Sequence, residues 1–318
     1  MVNKSSLKLV SAAAMAVAVV TAFTGIPAVQ ASTVTSIGIS FGTDNVTVTT
    51  VTASDQLSST QSAGVVPQTN WNNENYSDNN SGNLTNNQIP VSALNSTDPI
   101  VNSAGAITGV TGSWAAFVAY DNTFIAGSGS PDPNNGNQLL TNGGLYGATS
   151  SQTSYGSLNS LIINLTNIPY AEYDVYVYTL VGHSGDVVET AIGTTTTTGT
   201  PSYPVTFTPG SATGDVVYET SPNPIGTGYI DGTTNPFTFT RAISASETSP
   251  TAGGDYAEFT NITGTSFAVA AQNYSGHSPA INGIQIVPVA VVPEPAPLAL
   301  VAAGGLGLLL VGRKRKFR

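Results

Sequence analysis

Between residues 35 and 290 apolar side chains recur at every second position in short runs, and no convincing amphipathic helical period interrupts them. Ile37, Ile39 and Phe41 alternate with small residues, and Val46 and Val48 resume the pattern after a Gly-Thr-Asp-Asn turn. Leu161, Ile163 and Leu165 share one face of a strand closed by Asn167-Ile168-Pro169. The strongest strand is Tyr173 to Leu180, with Val175 and Val177 on one face and Tyr176 and Tyr178 on the other. Further strands are predicted at Val205–Thr208, Asp215–Thr220, Phe237–Ala242, Ala257–Thr260, Ser266–Ala271 and Ile284–Val287. Many short strands separated by Gly, Pro and Asn turns predict an all-β sandwich, and this length suits a single domain of that class.

Three stretches read as loops: Asn70 to Asn87, Gly127 to Gly144, and Thr194 to Pro204, the last either a strand edge or a hairpin. Their Asn, Gly and Pro residues supply the positive and fixed φ values that turns need. No clean internal repeat is present.

The two ends depart from the alternation. Lys4 and Lys8 precede an apolar stretch from Leu9 to Phe23, and Val29-Gln30-Ala31 places small residues where a signal peptidase cleaves. Residues 1–31 therefore read as a secretory signal cut after Ala31, and residues 32–290 as the β-domain. Residues 291–318 contain Pro293-Glu294-Pro295, then an uncharged apolar run over about 296–312, just long enough to span a bilayer. The basic tail 313–318, which includes Arg313, Lys314, Arg315 and Lys316, would be held on the cytoplasmic side.

Charge changes the picture once these ends are set apart. Residues 32–292 keep seventeen of the eighteen acids but a single basic residue, Arg241, for a net charge near −16. Nucleic-acid binding by phosphate neutralisation is excluded, because it needs clustered Lys and Arg. An arginine clamp for phosphoryl transfer is equally excluded. Neutral sugars, polar polymers and divalent cations remain compatible partners. The chain has no cysteine, so disulfides and thiolate chemistry are excluded and burial alone must hold the domain together.

The order of Pro-Glu-Pro, short span and basic cluster resembles a PEP-CTERM sorting signal. That resemblance implies processing by an exosortase at Pro293, Glu294 and Pro295, transient anchoring by the span, and a final place on the cell surface or in an exopolysaccharide matrix. A second resemblance rests on three phrases: Ala63-Gly64-Val65-Val66-Pro67-Gln68-Thr69-Asn70-Trp71-Asn72-Asn73, Ile168-Pro169-Tyr170-Ala171-Glu172-Tyr173-Asp174-Val175-Tyr176-Val177-Tyr178, and Ala280-Ile281-Asn282-Gly283-Ile284-Gln285-Ile286-Val287. Together they resemble a secreted β-domain frequent in PEP-CTERM proteins, similar to galactose-binding-like jelly rolls, and the likeness spans roughly residues 35–288. It implies a jelly-roll body; many such domains bind sugars, often beside a structural calcium ion.

No catalytic residue stands out. The two histidines, His183 and His277, each sit in a Gly-His-Ser phrase after a predicted strand. They would approach each other if both strands end on one rim, and are otherwise solvated loop residues. There is no Gly-x-Ser-x-Gly elbow and no HExxH. Most acids occupy turn positions (Asp44, Asp55, Asp78, Asp132, Asp186, Asp231), and Asp174 reads as exposed within its strand. The expectation is a non-enzymatic protein. The alternative is a polysaccharide-active hydrolase or lyase with a carboxylate pair that the pattern does not single out. Calcium is the one cofactor the loops suggest, with Asp132, Asn134 and Asn137 clustering oxygen ligands. For carbohydrate, Trp71 with Asn73 and Tyr76 offers an aromatic face amid amides, although Trp71 also reads as a core plug under its loop; Tyr274 is a weaker candidate of the same kind. Trp114 leads into an apolar run and reads as core.

Overall fold

A computed structural model describes residues 35–41, 57–74, 89–93, 99–116, 118–121, 134–141, 143–147, 160–179, 186–197, 205–220, 239–274 and 279–289. In chain order its elements are β1 (Ile37–Phe41), β2 (Asn72–Glu74), β3 (Ile89–Ala93), β4 (Thr111–Ala116), β5 (Val118–Asp121), α1 (Gly136–Thr141), β6 (Gly143–Tyr146), β7 (Ser160–Thr166), β8 (Glu172–Tyr178) and β9 (Val187–Thr197). They continue with β10 (Val205–Pro209), β11 (Val216–Thr220), β12 (Arg241–Ala242), β13 (Thr251–Ala252), β14 (Tyr256–Thr263), β15 (Ser266–Asn273), β16 (Ala280–Ile281) and β17 (Gly283–Pro288).

The first sheet runs β12-β14-β8-β17-β1-β2. The second runs β13-β11-β9-β15-β7-β4-β3, with β10 beside β9, and β16-β6-β5 form a small third sheet. Several connections change sheets: β7 lies in the second, β8 in the first and β9 in the second, and β14 lies in the first and β15 in the second, whereas β9, β10 and β11 stay together in the second. This alternation turns the two-residue period into a shared interior, because each strand contributes every second side chain to it. Ile37, Ile39, Phe41, Val175, Val177, Phe259, Ile284 and Ile286 from the first sheet meet Trp114, Leu161, Ile163, Leu165, Ile192, Phe267 and Val269 from the second in one core. Phe41 and Trp114 pack edge to face across it, 5.6 Å between centroids. Trp114 is thus a core residue, as its apolar context predicts.

The first sheet is also covered on its outer face. There Tyr176, Tyr178 and Tyr256 join Leu57, Ala63, Trp71, Leu139 and Leu140 in a second apolar cluster. The segment from Ala63 to Gln68 is clamped down by side chains. The Val65 N–H donates to the Tyr178 hydroxyl (2.8 Å), which donates to Gln285 Oε1 (2.9 Å). Gln285 Nε2 in turn donates to the Val66 carbonyl (2.6 Å) and to Gln68 Oε1 (2.9 Å). The three phrases behind the jelly-roll resemblance therefore meet at one place, and these residues serve packing. Gly64 has a φ of 95°, and a Cβ there would lie 2.8 Å from Gln285 Oε1 and 2.9 Å from the Trp71 ring, so only glycine fits.

Several expectations change in detail. The Gly127 to Gly144 stretch, read as loop, contains the short helix α1, with Asn135 Oδ1 accepting from the N–H groups of Asn137 (3.2 Å) and Gln138 (3.3 Å) as a cap. A helix this short carries too few residues to show a helical period. The Asn-rich loop contains β2, which pairs parallel to β1. The threonine run extends β9 to Thr197 and pairs antiparallel with the next strand, β10, which is the pairing of a hairpin; residues 198–204 between them lie outside the described residues. Within the predicted strand Phe237–Ala242, the described strand is confined to Arg241–Ala242. The signal peptide and the C-terminal span lie outside the described residues; among those described, no helix is long and apolar enough to cross a membrane.

Candidate functional site

The interior is apolar along most of its length and turns polar at one end. At six strands the inward-facing row closes, within the strand or at the residue flanking it, on a buried polar residue. Thr179 follows Val177 at the end of β8, Asp186 precedes Val188 on β9, and Glu219 follows Val217 on β11. Asp255 precedes Ala257 at the start of β14, Asn273 follows Ala271 on β15, and Asn282 precedes Ile284 ahead of β17. Pairing sets these residues side by side. Thr179 N–H donates to the Asp255 carbonyl (3.0 Å), and Asn282 N–H donates to the Tyr178 carbonyl (2.8 Å). In the second sheet both Glu219 and Asn273 lie opposite Val188.

Three contacts organise this layer. The Thr179 hydroxyl donates to Glu219 Oε1 and so ties the first sheet to the second. Asn273 Nδ2 donates to Asp186 Oδ2 (3.1 Å). Asp255 Oδ2 accepts from the Thr240 N–H (2.8 Å). The remaining oxygens, Glu219 Oε2 and Asp255 Oδ1, are buried and have no hydrogen-bond partner among the described residues. Glu219 is 1% exposed and Asp255 4%. A Cβ on Gly254 would lie 2.7 Å from Glu219 Oε2, which places that free oxygen against the residue preceding Asp255.

Electrostatics follow from burial. Desolvation pushes the Glu219 carboxyl up to about 8, against the Thr179 hydrogen bond, and the neighbouring Asp255 charge adds to the rise. Desolvation likewise raises Asp255 to about 6, opposed by the Thr240 hydrogen bonds. Arg241 offers no compensation: its guanidinium is 2.7 Å from Glu258, which alternates with Asp255 and so belongs to the outer face of β14.

Neither Glu219 nor Asp255 stands out from composition, but a signal was present. Glu219 is in phase with Val217, and Asp255 with Ala257 and Phe259, so each continues an apolar row inward. Asp186 corrects the turn reading: it is 5% exposed, because the register of β9 carries it into the same row. Asp174 is partly exposed and has a structural task, its Oδ1 accepting from the Asn261 N–H (2.9 Å) where β14 bulges between Phe259 and Ile262. Thr179 and Asp186, which flank the phrase containing His183, and Tyr274, which precedes the phrase containing His277, border this end; the histidines themselves lie outside the described residues.

Of the other predicted site residues, Trp71 takes the core role of the two open to it. It is 4% exposed, packs edge-on to Tyr178 at 6.1 Å, and its indole N–H donates to the Gln68 carbonyl (3.2 Å). Its ring is not presented to a ligand. Asn73 Nδ2 donates to the Leu57 carbonyl (2.8 Å), which anchors the loop. Asn137 Oδ1 accepts from the Gly64 N–H (2.9 Å), and Asn134 is exposed just ahead of α1. Tyr76, Asp132, Ala31, Pro293, Glu294, Pro295, Arg313, Lys314, Arg315 and Lys316 lie outside the described residues. Tyr274 is 42% exposed, its hydroxyl donating to Glu189 and its ring 6.0 Å from Tyr218.

Comparison with family models, with curated proteins and with solved structures returns no match. The fold therefore defines a sandwich-like β protein, and its function has to be argued from the residues themselves.

Proposed function

We propose that this chain is an exported, exosortase-processed component of the cell surface or exopolysaccharide matrix, with a non-enzymatic body of jelly-roll type. The observation that carries the reading is the C-terminal succession of Pro293-Glu294-Pro295, an uncharged apolar run and a basic tail, mirrored by an N-terminal signal pattern ending at Ala31. Signal peptidase and exosortase are the processing partners, and exopolysaccharide is the surrounding polymer. The body supports this reading in two ways. It holds together by burial without cysteine, and it has two large, mainly antiparallel sheets with repeated crossings between them, which a jelly roll requires. The buried carboxylates do not favour the hydrolase alternative, because a substrate cannot reach side chains that are 1% and 4% exposed.

The test is processing in a host that carries an exosortase. Changing Pro293, Glu294 and Pro295 together to alanine should leave an unprocessed chain in the membrane fraction. The unaltered chain should lose its tail and appear at the surface. Equal processing of both would overturn the sorting reading.

A further inference from the structure

We propose that Glu219 and Asp255 hold a hard divalent cation, calcium by preference, inside the polar end of the sandwich, where it bridges the two sheets. Two carboxylates from different sheets stand next to each other in the interior, each with one oxygen that no donor among the described residues reaches. Such oxygens carry full desolvation cost unless a cation or a proton meets them. The single arginine of residues 32–292 is engaged with Glu258 on the outer face, and no lysine exists there to take its place.

The donor chemistry is all oxygen, which suits calcium or magnesium rather than zinc or copper. Thr179 fixes the orientation of one Glu219 oxygen and Thr240 that of one Asp255 oxygen, leaving Glu219 Oε2 and Asp255 Oδ1 as the ligands. The inward row of β9 adds Thr190, whose buried hydroxyl also has no partner among the described residues and which lies diagonally across from Glu219. Glycine at 254 is required by this arrangement, since a side chain there would collide with Glu219. Calcium tolerates irregular coordination completed by water, whereas magnesium demands a regular octahedron, and donors spread over several strands fit the former. This site shares no residue with the Asp132, Asn134 and Asn137 set, and it does not depend on export or sorting.

The experiment is equilibrium dialysis of the purified full chain against calcium chloride, with thermal unfolding measured in calcium, in magnesium and in EDTA. About one calcium ion should bind per chain, and the unfolding temperature should rise by several degrees over that in EDTA. Glu219→Gln and Asp255→Asn should each abolish the bound ion and the shift, while Asp132→Asn leaves both unchanged. If a variant fails to fold, the wild-type measurements still decide. A chain that binds no calcium and unfolds at one temperature in calcium and EDTA overturns the proposal, with a proton as the group that neutralises the pair. Loss of the ion in Asp132→Asn but not in Glu219→Gln overturns it equally.

Discussion

At the residue scale, two aromatic side chains that look alike in the sequence have opposite situations. Trp71 lies under its loop with a hydrogen-bonded indole, whereas Tyr274 keeps 42% of its surface in solvent beside Tyr218 and Glu189. Trp71→Ala should therefore cost about 3–5 kcal/mol of stability, read from the denaturant midpoint, because it leaves a cavity against Tyr178 and Gly38. Tyr274→Ala should leave that midpoint nearly unchanged. Any affinity for matrix polysaccharide should fall with Tyr274→Ala, as measured by retention on the immobilised polymer. The buried acids make a second prediction. Glu219 and Asp255 start from ordinary values of 4.5 and 3.8 and rise to about 8 and about 6 in the folded chain. The folded state then holds protons that the unfolded chain releases. That stabilisation is complete below about pH 4 and is lost as pH rises through about 6 and about 8. In EDTA the unfolding temperature should fall across this window, and Glu219→Gln should remove most of the slope.

At the element scale, β14 shows how one side chain manages an irregular strand. Its bulge puts Asn261 at a φ of 59°, and Asp174 on β8 accepts the Asn261 N–H that the ladder leaves over. Asp174→Ala should cost about 1 kcal/mol by freeing that donor. Asn261→Gly should be tolerated, while Asn261→Val should cost about 1–2 kcal/mol, since a branched residue resists positive φ. Thermal unfolding of the three variants checks the order. The strands themselves were largely legible. Leu161, Ile163 and Leu165, or Val175 and Val177 against Tyr176 and Tyr178, declare their faces through period-two alternation alone. α1 was not legible, because six residues capped by Asn135 look like any polar turn.

At the scale of the whole molecule, the interior has two chemistries. One stretch is an apolar core from both sheets, and one end is a polar layer of Thr179, Asp186, Glu219, Asp255, Asn273 and Asn282. The Thr179–Glu219 contact, the packing at Gly254 and the pairing of β11 with β13 bring the two carboxyls together, across chain separations that no local pattern spans. The same holds on the outer face of the first sheet, where Gln285 reaches Val66 and Gln68 more than two hundred residues away in the chain.

The sequence by itself determined the all-β class and the facing of most strands. Both depend on neighbours within a few positions, where alternation and turn residues act directly. Tertiary structure alone decided which polar residues are buried. An acid in phase with an apolar row, such as Glu219 or Asp255, is exposed or enclosed according to whether a second sheet closes over that end. That closure is made by segments distant in the chain, and desolvation, which gives these acids their chemistry, exists only once it has formed.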